Sequence, residues 1–395
     1  MKKKVIIVSH NMDLGGVEKS LLSMLQLFDY NSYDVDLFLF SHSGALMKFI
    51  PNKVKILPEN TYYSHINKSL ISCIKKRQMK IVFSKCVSRI KYKKFMFHNS
   101  NQISDAAINY LYSFSNRFAP VISEEEYDLA ISFSDVHYAV IDKVKAKKKV
   151  CWIHTDYSVT HQDTDFCFNM WNSFDNIVAV SKDCKTAFEL SYPTLADKVI
   201  VIENTLSKHY VENESKSFNV EKEDECISIL SIGRFCVAKN FVNVPHILKG
   251  IRNYGINARW YLIGYGEQEE AIKKEIINSG MEETVVLLGK KENPYPYIKN
   301  CDVYIQPSIY EGKSVTVREA QMLGKPVIIT DYPTAHSQLK DGYDGVIVPM
   351  DIEGCIQAIV NVLNNKELLN TITENIKKND YTNKLELKKL YAIIN

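Results

Sequence analysis

Disulfides, membrane spans and a strong net charge are all missing from this chain, and each absence narrows what it can be. Its 395 residues hold nine cysteines, an odd count without any C-x-x-C spacing. Several of them, Cys151 and Cys226 included, sit in apolar runs where the side chain behaves as a small hydrophobe. That argues against a disulfide framework and for a reduced, cytoplasmic protein. No stretch approaches the roughly 20 apolar residues of a spanning helix, and Val5–Val8 is too short for a signal-peptide core, so a soluble chain is expected. The formal net charge of +3 excludes a polyelectrolyte binder. Internal repeats and low-complexity segments are lacking too. Two nucleotide signatures fail on inspection. Gly264-Tyr265-Gly266 lacks the third glycine of the dinucleotide fingerprint, because Glu269 takes its place. Gly312-Lys313-Ser314 ends like a P-loop, yet Pro307 stands where the first glycine belongs. NAD binding and NTP hydrolysis are both disfavoured.

One absence is local. Between Asn60 and Ser104 there is no acidic residue, while ten Lys or Arg occur. Lys75, Lys76, Arg77, Lys80, Lys85, Arg89, Lys91, Lys93 and Lys94 interleave with apolar residues such as Ile81, Phe83, Ile90 and Phe97. Such mixing predicts a surface for anionic lipid headgroups, with a merely solvated basic face as the alternative. Nucleic acid is the competing partner, but no recognised binding motif supports it.

What is present reads as two α/β halves. Val5–Val8, 35–40, 129–133, 150–153, 177–180 and 199–202 are short apolar runs of the kind buried in parallel sheets. The pattern restarts with Ile227–Ile232, 260–263, 285–288, 303–305, 327–329 and 346–348, with helical segments such as Glu267–Ser279 between them. Two doubly wound, Rossmann-like sheets facing a central cleft are expected. The expected boundaries are 1–206, 207–382 and a final helix over 383–395 that packs on either domain, its return to the first being the favoured placement. Ser207–Lys216 is polar without periodicity and reads as the linker.

Ligands of such sheets collect at the carboxyl ends of strands, which directs attention to four segments. Pro307–Ser314 joins a strand to a helix over Val315–Leu323, with Ser314 at the N-cap and Gly324 past the end. A helix start offers free N–H groups to a phosphate. Glu311 and Glu319, eight positions apart, suit sugar hydroxyls better than phosphate oxygens because like charges repel. A ligand with both groups is a nucleotide sugar. Gly233-Arg234 and Lys239 follow another strand and supply cations suited to a diphosphate, or else are solvated loop residues. Gly15-Gly16 follows the first strand and either approaches a ligand or makes a plain tight turn. His154 ends a strand and is either structural or a hydroxyl partner. Asp34-Val35-Asp36 and Asp163-Thr164-Asp165 match a metal-diphosphate pattern, but the first precedes its strand and the second lies in a generally polar stretch. No catalytic metal is expected.

In combination these motifs resemble the retaining glycosyltransferases of family 4, which have the GT-B architecture. The similarity covers nearly the whole chain and is strongest from Ile229 to Pro349: Gly-Arg then Lys, the Gly-x-Gly turn, then Pro-Ser-x-x-Glu with Glu eight residues on. The resemblance implies a catalytic set of Glu311, His154, Arg234 and Lys239. It implies that Arg234 and Lys239 hold the donor diphosphate, Glu319 the ribose and Glu311 the transferred sugar. Backbone at Gly312, Lys313, Ser314, Val315 and Thr316 would cradle sugar and phosphate, Lys290 would line the base pocket, and Gly15, Gly16, Gly233 and Gly264 would complete the donor site. Ser181 and Asn204 resemble minor cleft elements. Lys313 and Thr205 depart from the family pattern, which more often has phenylalanine and glycine there. The implied reaction takes a hexose-type sugar from a nucleotide diphosphate sugar, UDP-linked, to a glycan or lipid-linked hydroxyl in capsule, exopolysaccharide or lipopolysaccharide assembly, with no cofactor and a peripheral place at the inner membrane face. A nucleotide-sugar epimerase and a non-catalytic binding subunit are the rival readings.

Overall fold

The computed structural model describes residues 2–98, 106–154, 157, 162–221, 225–311 and 314–395. It divides into two compact units, Met1–Leu206 with Asn383–Asn395, and Ser207–Thr382.

The first unit is built on seven parallel strands: β1 Lys3–Ser9, β2 Tyr33–Leu39, β3 Lys55–Ile56, β4 Glu126–Ser132, β5 Lys145–Ile153, β6 Asn176–Ala179 and β7 Val199–Val201. Their order is β3-β2-β1-β4-β5-β6-β7, so the winding reverses between β1 and β4. Val5 to Val8 are wholly inaccessible, as an unbroken apolar strand must be when helices cover both faces. The second unit has six parallel strands: β8 Ile227–Ile232, β9 Ala258–Ile263, β10 Val285–Gly289, β11 Val303–Gln306, β12 Val327–Thr330 and β13 Val346–Val348. Its order, β10-β9-β8-β11-β12-β13, places the reversal between β8 and β11. The wholly buried Trp260 spans that core and donates from Nε1 to Ser231 Oγ at 2.8 Å.

Two expectations need correction. Ser207–Lys216 is not a plain linker: Lys208–Glu214 is a helix whose Ser207 side chain accepts from Tyr210 N. Its buried Tyr210 meets Tyr295 edge-on at 5.7 Å. Seven residues with two buried are too few to show a period. Asp34 and Asp36 lie inside β2 and do not precede it. The buried Asp36 accepts from Tyr127 OH at 2.8 Å and pairs with Lys55, a structural use of the carboxylate. The short edge strand β3 has both side chains exposed and so carried no apolar signal. The terminal helix Leu387–Ile394 belongs to the first unit, where Tyr391 stacks on Tyr33 with 4.9 Å between ring centres and accepts from Asp29 N at 2.9 Å.

Candidate active site

In the second unit the two strands flanking the reversal deliver the main groups. After β8 the chain turns at Gly233 and runs past Arg234 to Lys239; after β11 it runs through Pro307 to Glu311. The two loops are joined by Ile309 N donating to Ala238 O at 2.9 Å. Lys239 Nζ meets Glu311 Oε1 at 2.5 Å, with side-chain exposures of 19% and 9%. Ser308 Oγ donates to the same Glu311 oxygen at 2.7 Å and itself accepts from Gln306 Nε2 at 3.0 Å. Thr334 Oγ1 donates to the Glu311 carbonyl at 2.7 Å. A carboxylate held by an ammonium, a hydroxyl and its own fixed backbone is preorganised, and a buried pair of this kind is costly to split.

The neighbouring loops need glycine. A Cβ on Gly264 would lie 1.9 Å from Gly233 O, and one on Gly266 2.3 Å from Phe235 O. These clashes are with backbone, so the turn after β9 packs against the turn after β8 only because both side chains are missing. Gly233 serves the lysine: a Cβ there would stand 3.1 Å from Lys239 Cε. Lys290, just past β10, holds its ammonium 5.2 Å from the Tyr265 ring centre. Arg234 is exposed, with Nε 3.5 Å from Glu267 Oε2.

The helix Val315–Met322 carries Glu319, 3% exposed, whose Oε1 accepts from Tyr295 OH at 2.7 Å. Burial, then the nearby Glu319 charge, pushes the Tyr295 phenol well above its ordinary range. Ser314 occupies the N-cap position without capping through its side chain. Its backbone N–H instead donates to Gln338 Oε1 at 2.7 Å, so that one amide is already spent. Thr316 Oγ1 accepts from Tyr304 OH at 2.8 Å, which turns the hydroxyl toward the unit's interior, and Val315 is 40% exposed. Gly312 and Lys313 lie outside the described residues. Gln338, Thr334 and Tyr295 were not singled out from the sequence, since each acts through a partner more than twenty residues away in the chain.

In the first unit, Gly15 and Gly16 start the helix Gly16–Leu27 after β1. The Glu18 carboxylate lies so close to Gly15 that a Cβ there would sit 2.0 Å from Oε2, and its pKa is raised by burial. Ser20 on this helix donates to Asn204 Oδ1 at 2.6 Å. Ser181 caps the helix Lys182–Ser191 by accepting from Cys184 N at 3.1 Å. His154 follows β5 and donates from Nε2 to the Phe133 carbonyl at 2.8 Å. Burial lowers its pKa to about 4, so the ring is neutral near pH 7 with Nδ1 as an acceptor. Asp163 caps Thr164–Asn172 and accepts from Tyr110 OH, again a structural use.

The acid-free segment forms the helices Leu70–Lys75 and Met79–His98. On the longer one the amphipathic order is inverted. Ser84 and Ser88 face inward beside Ile81, their hydroxyls returned to carbonyls of their own helix. Met79, Phe83, Ile90 and Phe97 are exposed, among the exposed Lys80, Arg89, Lys93 and Lys94. Among the described residues no group of three or more His, Cys, Asp or Glu is placed to hold a metal ion, and no helix is long and apolar enough to cross a membrane.

Two parallel-sheet Rossmann-like units in one chain are the make-up of GT-B glycosyltransferases, and the fold matches solved members of that class. S. aureus TarM, solved with UDP and alpha-GlcNAc-glycerol, aligns over 100% of both chains with a TM-score of 0.65 at 13% identity. Anabaena HepE with UDP and glucose aligns over 99% of both at 0.61 and 15%. Residues 212–379 match the family model of Glycosyl transferases group 1. An uncharacterized glycosyltransferase of Methanocaldococcus jannaschii is 25% identical over 82% of this chain and 93% of its own. The UDP-Gal:alpha-D-GlcNAc-diphosphoundecaprenol alpha-1,3-galactosyltransferase of Escherichia coli is 27% identical over 37% of this chain and 38% of its own, so that this match spans well under half of either protein.

Proposed function

We propose that the chain is a retaining glycosyltransferase of family 4. It moves a hexose-type sugar from a UDP-linked donor to a hydroxyl of a lipid-linked glycan at the inner membrane face, in cell-surface polysaccharide assembly. The observation that carries this reading is the Lys239–Glu311 pair at the sheet reversal of the Glycosyl transferases group 1 domain.

Glu311 takes hydroxyls of the transferred sugar and Glu319 the ribose. Of the three Lys239 N–H donors one is engaged by Glu311, leaving the others for diphosphate oxygens, with Arg234 as the second cation. As the bond from the anomeric carbon to the diphosphate breaks, these cations stabilise the growing negative charge. The acceptor oxygen bonds to the same face of that carbon, and its proton passes to the departing phosphate oxygen. No carboxylate serves as a covalent nucleophile, unlike the scheme of retaining hydrolases. His154 accepts a sugar hydroxyl at Nδ1. The names of relatives that use UDP-sugars and undecaprenyl acceptors support the choice of donor and acceptor. The inverted helix Met79–His98 supports the membrane face.

Arg234 is 73% exposed, so Arg234→Ala tests the chemistry without disturbing the fold. With a UDP-hexose and a lipid-linked acceptor, its kcat falls about 100-fold, the loss typical of one charge-stabilising donor, at an unchanged Tm. The product keeps the donor's anomeric configuration by NMR, and turnover persists in EDTA. Wild-type turnover by the variant overturns the assignment.

A further inference from the structure

At the far end of the helix Val315–Met322 from Ser314 lies a cavity of about 420 Å³ that the donor site does not use. Four lysines from three stretches of chain line it: Lys208 and Lys216, Lys299, and Lys377. Lys208 has Glu212 at 3.8 Å and Lys377 has Glu374 at 2.7 Å. Lys216 and Lys299 have no ion pair among the described residues. Two positive charges are therefore left over.

A second observation is independent of charge. Gln321, also lining the cavity, is 1% exposed. Its Nε2 donates to the Asp344 carbonyl at 3.0 Å, which leaves Oε1 as a buried acceptor with no hydrogen-bond partner among the described residues. An orphaned buried acceptor costs about 1–3 kcal/mol, a cost that an incoming O–H would remove. The lysines also suit the helix C-termini near them, but that role requires neither a cavity nor an unpaired Gln321.

We propose that this cavity is a second anion site, distinct from the donor site, for a phosphorylated polyol: phosphate against Lys216 and Lys299, a hydroxyl on Gln321 Oε1. The volume exceeds what a lone phosphate fills and suits a glycerol or hexose phosphate. Gln321 stands two residues after Glu319 on one helix, so occupancy is felt along the element that carries the ribose carboxylate.

The test is calorimetric titration of the full chain with glycerol 3-phosphate and, separately, inorganic phosphate. Wild type and Arg234→Ala bind glycerol 3-phosphate equally. Lys216→Ala/Lys299→Ala, which replaces two exposed side chains, binds it at least about tenfold more weakly, a difference of about 1.4 kcal/mol. Gln321→Leu weakens glycerol 3-phosphate while leaving inorganic phosphate unchanged. Phosphatidylglycerol vesicles present the same group on a surface. Co-sedimentation that depends on Lys216 and Lys299 assigns a headgroup as the source, and binding of the free ester alone assigns a soluble one. Absence of both, or equal binding by the double variant, overturns the proposal. UDP titration of the same samples reports on the donor site, so failure of one reading is distinguishable from failure of the other.

Discussion

Of the buried acids of the second unit, Glu311 is held by Lys239 and Ser308, while Glu319 takes its hydrogen bond from Tyr295, a partner that can be removed. Tyr295→Phe deletes the hydroxyl that donates to Glu319 and keeps the ring that packs against Tyr210. Leaving a buried carboxylate oxygen short of a donor costs about 1–3 kcal/mol. The expected outcome is a lowered Tm together with a raised KM for the UDP-sugar at nearly unchanged kcat, because the proposed ribose contact would be made equally in ground and transition states. A loss confined to kcat argues against the ribose role. Histidines dominate the residue-scale chemistry of the first unit. Burial lowers His10 and His154 to about 4 and His137 to about 3, all from 6.5. A histidine held neutral in the fold titrates near 6.5 once unfolded. Its contribution is therefore intact above 6.5 and lost as pH falls toward the folded value. Each shift from 6.5 to about 4 corresponds to roughly 3 kcal/mol across that window, at about 1.4 kcal/mol per unit. Thermal melts between pH 7.5 and 4.5 should show Tm dropping steeply below 6.5. His154→Gln, which keeps a donor for the Phe133 carbonyl but does not titrate, should flatten part of that drop.

Elements were legible where burial writes an unbroken apolar run, and less so where it does not. Ile227–Ile232 and Val346–Val348 have the bounds their β-branched runs suggest. The two-residue β3 and the helix Lys208–Glu214 were not legible, because an exposed strand has no apolar run and seven residues hold too few buried positions. For the site, the Gly-Arg-Lys and Glu-x₇-Glu spacings located the loops. Which hydrogen bond each group makes depends on chain segments far apart, as with Gln338 taking the Ser314 amide. That pairing contradicts the simple picture of a helix start with every amide free. The glycine turns offer an element-scale prediction. Gly264→Ala forces a methyl onto the Gly233 carbonyl, and overpacking of this kind costs about 1–3 kcal/mol. Because the displaced turn carries Arg234, UDP affinity should weaken along with stability, measured by calorimetry beside a thermal melt. Gly16→Ala, with no protein atom within 4 Å of where its Cβ would go, should not create such a clash and should leave the melt unshifted by overpacking.

At the scale of the whole molecule, the proposed place of work at a membrane face rests on the basic helix Met79–His98. A helix ordinarily turns apolar residues inward, yet Met79–His98 buries Ser84 and Ser88 and exposes Phe83, Ile90 and Phe97. Water alone gives no reason for that arrangement, whereas an anionic bilayer surface rewards both halves of it. Lysines gain about 1 kcal/mol each near acidic headgroups, and that gain is screened by salt. Exposed aromatic and aliphatic side chains gain by leaving water, and that gain is not screened. The two contributions separate experimentally. Replacing Lys80, Arg89, Lys93 and Lys94 with Gln should weaken co-sedimentation with phosphatidylglycerol vesicles by at least about 100-fold at low salt and reduce its salt dependence. Phe83→Ser/Ile90→Ser should weaken partitioning while preserving the salt slope. UDP affinity should be unchanged in both variants, since the Lys239–Glu311 pair belongs to the second unit and both sets of substitutions to the first. Turnover of a lipid-linked acceptor in vesicles should fall with partitioning, while turnover of a short water-soluble acceptor should not. Equal partitioning by all three proteins would mean that the inverted helix serves something other than a membrane.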